Sequence, residues 1–453
     1  MRLKTIEIRD YKFFEKYKVD FAPSVTVIIG RNGAGKTTLL SAICKPLSFI
    51  FSGDKSLGKD FLSAGNPSLK VNTFDESDYR RDDEKGTVTN DLSIRAEAIY
   101  AGQPLEWELY KRTTGRASLY TTKYKDAFRQ FMSAYQGGAD LPLLAYYSDS
   151  FPHRNTKLTK FALDTIDLDR IPRNFGYYQW DMEAACTTLW EVRMANLLYE
   201  IYDSSESSDQ PTANDTFLHK ETGFVRSRLK TFVSHLPLLT REGYVIRNLM
   251  SMRMASGDRI SIRFDNGKRM LLQDLPAGYR RLYAIVFDMA YRAYILNGDK
   301  EPTGIVMIDE IDLHLHPSLE QVVVTALHST FPQMQFILSS HSPAVISNLN
   351  TAKRGDEAPE NCVLLMEEGQ TRPETLRDIY GLDYNATLQD FMDAPISNRE
   401  IDKLKDEYLT FRSLGLGKKA ESTIKRLEKL LGRTDHSILE KLRKDAEAYE
   451  VYR

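Results

Sequence analysis

The chain has 453 residues, 42% of them hydrophobic and 27% charged, with a formal net charge of −2. That length carries two or three domain-sized units, each able to bury a core, and the composition excludes disordered and fibrous classes. The near-neutral balance removes any global electrostatic case for nucleic-acid binding and leaves only a local basic face.

Neither a secretory leader nor a membrane span is expected. The opening Met-Arg-Leu-Lys-Thr-Ile-Glu-Ile lacks an apolar segment followed by a small-residue cleavage site. No stretch approaches the ~20 apolar residues that cross a bilayer. Cys44, Cys186 and Cys362 are odd in number and far apart. They fit neither a disulfide framework nor a zinc pattern and read as buried, reduced thiols of a cytoplasmic protein.

Alternation of apolar and polar residues predicts a strand at Leu3–Ile8 and another at Tyr17–Phe21, joined by a turn. The run Val-Thr-Val-Ile-Ile between Pro23 and Gly30 reads as a buried parallel strand, and Thr37 to Phe51 has helical spacing. Residues 52–86 are polar and end in the charge run from Asp78 to Lys85, the pattern of a solvated loop. Strands are expected at Asp91–Tyr100, Leu105–Arg112 and Leu141–Tyr147, then a long aromatic-rich helix at Phe175–Tyr202. A loop over 203–215 separates it from a second helix at Gly223–Leu236, and strand patterns return from Gly243 to Leu272.

Three apolar β-type runs follow, at Gly304–Ile308, Phe336–Leu338 and Val363–Met366, with helical stretches between them. Strands alternating with helices predict a parallel sheet covered on both faces. The two parts of that sheet lie before residue 50 and after 270, with 51–269 inserted as a β and helical subdomain. The ATPase-like part is assigned to 1–50 and 270–396. The tail, 397–453, opens on the capping box Ser397-Asn398-Arg399-Glu400 and spaces Ile401, Leu404, Tyr408 and Phe411 as a helix. Two further helices, Ala420–Leu431 and one from Asp435, complete a small unit amphipathic enough to pack on a partner.

Gly30-Arg31-Asn32-Gly33-Ala34-Gly35-Lys36-Thr37 matches the phosphate-loop pattern in full, between a strand and a helix. Its glycines let backbone N–H groups turn toward a phosphate chain, and the helix start adds its dipole. Lys36 is placed to reach the β- and γ-phosphates of ATP, Thr37 to put its hydroxyl on Mg²⁺, and Thr38 to close the nucleotide-binding stretch. Gly304–Ile308 ends in Asp309-Glu310, two carboxylates that burial alone would never favour. Asp309 is the candidate Mg²⁺ partner and Glu310 the residue that orients or deprotonates the attacking water. His314 and His316 form a His-x-His pair without a third ligand, and Pro317 reads as the first position of a helix. His341 ends another expected parallel strand, where ligands of open α/β sheets bind.

Asn32 in the phosphate loop, Asp309-Glu310 with the Leu-His-Leu-His-Pro run, and Ser340-His341-Ser342 resemble the ABC/SMC-related ATPases, among them RecF-like and OLD-like enzymes. The resemblance implies an ABC-type P-loop ATPase head: an α/β fold with a mixed or parallel sheet flanked by helices, an inserted subdomain and a C-terminal helical unit. It makes His341 the switch histidine and puts Asp312 in the segment that crosses between protomers. It also calls for a signature loop that caps the partner's ATP. Pro276-Ala277-Gly278-Tyr279-Arg280, opening a helix upstream of Asp309, stands in that place.

Pro276 occupies the position of the family's serine, removing a hydroxyl and a backbone donor. The helix start at Gly278 and the pair Arg280 and Arg281 are expected to compensate with positive potential, leaving hydrolysis slow. By position alone Asp78 stands for the family's glutamine after the phosphate loop. Leu141–Tyr147, the aromatic helix and the segment from Tyr380 to Leu388 are similar to Septu-type defence ATPases. That likeness implies an anti-phage ATPase that closes as a homodimer or a higher even-numbered homo-oligomer and gates a separate HNH-type nuclease. DNA contact is a further expectation, and a membrane partner is not. A RecF- or SMC-like repair clamp, or the ATPase subunit of a transporter, stands as the alternative.

Overall fold

The first twenty residues form an antiparallel hairpin of β1 (Arg2–Tyr11) and β2 (Phe14–Asp20), whose alternating apolar side chains are buried on one face. β3 (Val25–Gly30) is apolar, buried, and runs into α1 (Lys36–Leu47). β4 (Asp91–Tyr100) and β5 (Gln103–Arg112) complete a four-stranded sheet in the order β2-β1-β4-β5. This sheet covers α1. Trp107 of β5 lies 4.2 Å from the Phe49 ring, and its indole N–H donates to Pro46 O at 2.8 Å. The computed structural model describes residues 1–53, 62–66, 69–81, 88–89, 91–112, 119–148, 159–182, 186–207, 213–237, 245–254, 257–352, 359–392, 399–431 and 437–451.

α2 (Lys125–Gln136) precedes β6 (Leu143–Tyr147), and α3 (Lys160–Ile166) precedes the long helices α4 (Thr187–Ser207) and α5 (Ala213–Ser234). The helix expected from Phe175 begins twelve residues later than its sequence suggests. Residues 173–177 form one 3₁₀ turn, and Gln179 adopts a positive φ of 51°. Phe175, Tyr177, Tyr178 and Trp180 are buried by tertiary packing rather than along a helical stripe. β7 (Ile246–Met254), β8 (Gly257–Phe264) and β9 (Arg269–Leu271) form an antiparallel meander. It leads to α6 (Ala277–Asn297), buried along most of its length.

β10 (Gly304–Ile308), the short helices α7 (Pro317–Glu320) and α8 (Val323–Thr330), β11 (Met334–Ser339), α9 (Pro343–Ser347), β12 (Asn361–Met366) and β13 (Glu374–Leu376) follow. The central sheet has the order β13-β12-β3-β11-β10-β6, parallel except for β13. Its inner strands are continuous apolar runs because helices or the second sheet cover both faces. β6, from the stretch read as inserted, is thus an edge strand of this sheet, with Tyr147 beside Ile308. Register brings the carboxyl ends of β3, β6, β10 and β11 together, and these carry the site.

Two buried polar ties fix the layers. Gln335 of β11 accepts from Leu3 N–H (2.7 Å) and donates to Leu3 O (2.8 Å) and Ala22 O (2.9 Å), so one amide joins the two sheets. Asp288 of α6 accepts from Tyr147 Oη and Arg292 Nε, both at 2.7 Å, and from the Cys186 N–H at 3.1 Å. Arg292 Nη1 donates to Gly176 O and Tyr178 O and its Nη2 to Cys186 Sγ, leaving the buried pair satisfied.

The chain divides into two compact units, Met1–Leu382 and Asp383–Arg453. The second comprises α10 (Tyr384–Met392), α11 (Arg399–Ser413), α12 (Gly417–Leu431) and α13 (Ser437–Val451). Leu404, Tyr408, Leu427, Leu439 and Leu442 make its core, while Leu414, Leu416 and Leu430 are exposed. Ser397 and Asn398 of the expected capping box lie outside the described residues.

Candidate nucleotide site

The phosphate-loop pattern lies between the end of β3 and the first turn of α1. Gly35 caps α1 with φ 99°, left-handed backbone that favours glycine. No side chain caps this helix start, so its first N–H groups are left for a ligand. Arg31, Asn32, Gly33 and Thr37 are exposed, Thr38 is half-buried, and Ala34 is buried. Lys36 is buried and its ammonium folds back to donate to Gly30 O (2.9 Å) and Arg31 O (3.2 Å). Burial pulls its pKa below the ordinary lysine value, opposed by the nearby carboxylates of Asp309, Glu310 and Asp312.

Asp309 stands at the end of β10, 1% exposed, with its N–H on Tyr147 O at 2.8 Å. Its Oδ1 accepts from the Ser339 hydroxyl, while its Oδ2 is buried with no hydrogen-bond partner among the described residues. A buried carboxylate oxygen left open is costly unless a cation completes it, so this residue fits a divalent metal. Ser339 Oγ also accepts from Glu310 N–H at 2.8 Å. Glu310 has φ 48°, left-handed backbone that a non-glycine residue adopts only when its surroundings hold it.

The turn after Glu310 is fastened to the end of β11. Asp312 accepts from Ser340 Oγ (2.6 Å) and from His341 N–H (3.2 and 3.3 Å). Burial, then Lys36, lowers the pKa of His341, with Asp312 and Asp309 acting the other way. His316 caps α7, its Nδ1 accepting from Ser318 N–H, and Pro317 takes the first helical position. Among the described residues no three His, Cys, Asp or Glu side chains are grouped to hold a metal.

Pro276 caps α6, and Pro276 and Ala277 are exposed while Tyr279 and Arg280 are half-buried. Gly278 is buried, and a Cβ there would lie 2.5 Å from His314 O. Arg280 donates to Gln273 O at 3.1 Å. Arg281, paired with Arg280 by sequence as a source of outward potential, is fully buried and turned inward. Its Nη1 donates to Glu310 O (2.7 Å) and Ile311 O (3.3 Å), and its Nη2 to Asp309 O (2.7 Å).

The profile of the AAA ATPase domain matches residues 1–126 and 196–346, more than half of the chain. The chain belongs to the AAA ATPase domain family. It is similar to the retron Vc95 probable ATPase of Vibrio cholerae serotype O1 biovar El Tor, 26% identical over 78% of this chain and 72% of that protein. Over shorter stretches it is similar to the Septu protein PtuA of Bacillus mycoides, 41% identical over 17% of this chain and 11% of that one. The DNA replication and repair protein RecF of Lactococcus lactis is 27% identical over 39% of this chain and 49% of its own length.

In this AAA ATPase the structure gathers Lys36, Asp309, Glu310, Asp312 and His341 at one end of the sheet. Asp78 goes elsewhere: its buried carboxylate accepts from Lys45 Nζ at 2.8 Å. Lys45 lies nine residues along α1 from Lys36, about 13 Å by helical rise. Ser339 and Tyr147 are not singled out in the sequence, and Arg281 is given an outward role there that its inward contacts replace. Ser339 had a signal, a hydroxyl ending an apolar strand, while the inward role of Arg281 had none, since its partners are backbone carbonyls. All three cysteines are free and buried, as expected. No helix among the described residues is long and apolar enough to cross a membrane.

Proposed function

We propose that this ATPase binds ATP·Mg²⁺ between the phosphate loop of one copy and the signature loop of another, and that this closure gates a separate nuclease in anti-phage defence. The observation that carries the reading is the arrangement at the ends of β3, β10 and β11. A buried lysine, an open buried carboxylate and a held glutamate lie together, while Pro276 and Ala277 stand exposed at the start of a 21-residue helix.

The roles follow from chemistry. Lys36 exchanges its two carbonyl partners for the β- and γ-phosphates, whose charge restores what burial takes from the ammonium. Gly30, Arg31, Asn32, Gly33, Ala34, Gly35 and Thr38 line the phosphates, and Thr37 and Asp309 hold Mg²⁺. When bound, that ion neutralises charge developing on the phosphoryl oxygens. Glu310 orients the attacking water and accepts its proton, and His341, neutral at pH 7, donates a hydrogen bond to the γ-phosphate. The start of α6, Pro276 to Arg280, faces the second copy's nucleotide with backbone donors and helix dipole but no serine hydroxyl, which keeps turnover low.

The retron and Septu names of the relatives support a defence role. An HNH-type nuclease is the partner we assign, with residues 397–453 its docking unit. The RecF relative favours a second reading, a DNA repair clamp. Glu310→Gln protein, purified with ATP and Mg²⁺ from its host, separates the two by mass spectrometry of what accompanies it. A small nuclease supports the first. DNA alone, with binding that weakens steeply in salt, supports the clamp and contradicts the nuclease gate.

A further inference from the structure

We infer that Arg281 is a positioning residue for ATP hydrolysis, holding from the signature helix the turn that carries Glu310. The inference rests on the reading of Glu310 as the residue that acts on the attacking water. Arg281 directly follows the signature stretch Pro276–Arg280, one helical turn into α6, and is fully buried. Its guanidinium spans the carbonyls of Asp309, Glu310 and Ile311 at 2.7, 2.7 and 3.3 Å. These are consecutive residues, and the middle one has the positive φ of 48°.

Left-handed backbone is strained for a non-glycine residue, so the turn keeps this shape while its polar groups are held from both sides. Ser339 Oγ takes the Glu310 N–H, and Arg281 takes the carbonyls on either side of that residue's peptide units. A planar guanidinium suits this task, because its fixed fork reaches separate oxygens at once, whereas an ammonium is a point charge. Gly278, on the same helix, presses against His314 O at the far end of the same turn. The start of α6 and the segment 309–314 are therefore gripped at two places. A displacement of the signature loop is passed to Glu310 through Arg281.

The test is a double-mutant cycle in the full chain with Arg281→Lys, Glu310→Gln and both together. Binding of a fluorescent ATP analogue, kcat, KM and thermal melts are measured for each. Arg281→Lys is expected to lower kcat about 10- to 100-fold while nucleotide affinity stays within about threefold. In the Glu310→Gln background the same change is expected to cost less than about twofold, because the two act as one unit. Arg281→Lys turning over like the parent protein, while Glu310→Gln is impaired, overturns the inference alone. So do losses that multiply in the double variant, or a loss of affinity that parallels the loss of kcat. Full turnover by Glu310→Gln overturns the reading of Glu310 itself. Should Arg281→Lys not fold, Arg281→Gln, which keeps N–H donors, is read in the same cycle.

Discussion

Asp309 and Ser339 are joined side chain to side chain across neighbouring parallel strands, and the same hydroxyl accepts the N–H of Glu310. One serine thereby sets the carboxylate assigned to the metal and the backbone of the residue assigned to the water. Ser339→Ala leaves a buried carboxylate oxygen and a half-buried N–H without this partner, a cost of about 1–3 kcal/mol for the carboxylate and less for the N–H. The expected outcome is a lower melting temperature and a higher Mg²⁺ concentration for half-maximal turnover. Unchanged Mg²⁺ dependence would show that Ser339 does not shape the metal site.

Gly278→Ala brings a methyl group to 2.5 Å from His314 O, a backbone atom that cannot step aside without moving the turn. Overpacking of this kind costs about 1–3 kcal/mol. Chemical denaturation should show that loss, and turnover should fall with it. A variant as stable and active as the parent would mean that the turn yields easily.

His341 sets an expectation for pH. Burial lowers its pKa below the ordinary 6.5, so the folded protein binds fewer protons here than the unfolded chain does just below that value. The stability it contributes is full above 6.5 and is lost as pH falls through the window beneath. A kcat/KM that needs the neutral imidazole, and reports the free protein, keeps its level at pH 7 and falls only on the acid side of 6.5. A pH–rate profile of the parent protein against His341→Gln checks this, since the acid limb should lose the histidine component in the variant. A limb centred above 6.5 contradicts the assignment.

Pro276 caps α6 without offering a side-chain hydrogen bond. Pro276→Ser returns a hydroxyl and an N–H to the loop, and turnover should rise by about 3- to 30-fold if that hydroxyl bonds the second copy's γ-phosphate, the effect of one charge-assisted hydrogen bond. Unchanged turnover and unchanged self-association would remove the loop from the site.

Much of this site is legible in sequence because its signals are local. The phosphate loop sits between a five-residue apolar run and a helix, and Asp309-Glu310 ends a buried strand. What was not legible depends on partners far along the chain. Arg281 reads as one of two exposed arginines until the carbonyls 28 to 30 residues away close on it. Asp78 has the right sequence spacing, but Lys45 claims its carboxylate. The aromatic run from Phe175 has helix-like spacing, yet its rings pack in several directions, with Phe175 stacked on Tyr178 and Phe51 edge-on to Tyr177. α5 starts at Ala213, ahead of the apolar spacing that marked it, and before Gly223 it already buries Leu218, Glu221 and Thr222.

Closure of two copies around ATP is tested most directly by sedimentation of Glu310→Gln protein with and without ATP·Mg²⁺. The expected result is a shift from monomer to an even-numbered assembly that requires both nucleotide and Lys36, and is therefore absent in Lys36→Ala. Nucleotide binding without any change in mass, or an assembly indifferent to nucleotide, would contradict it.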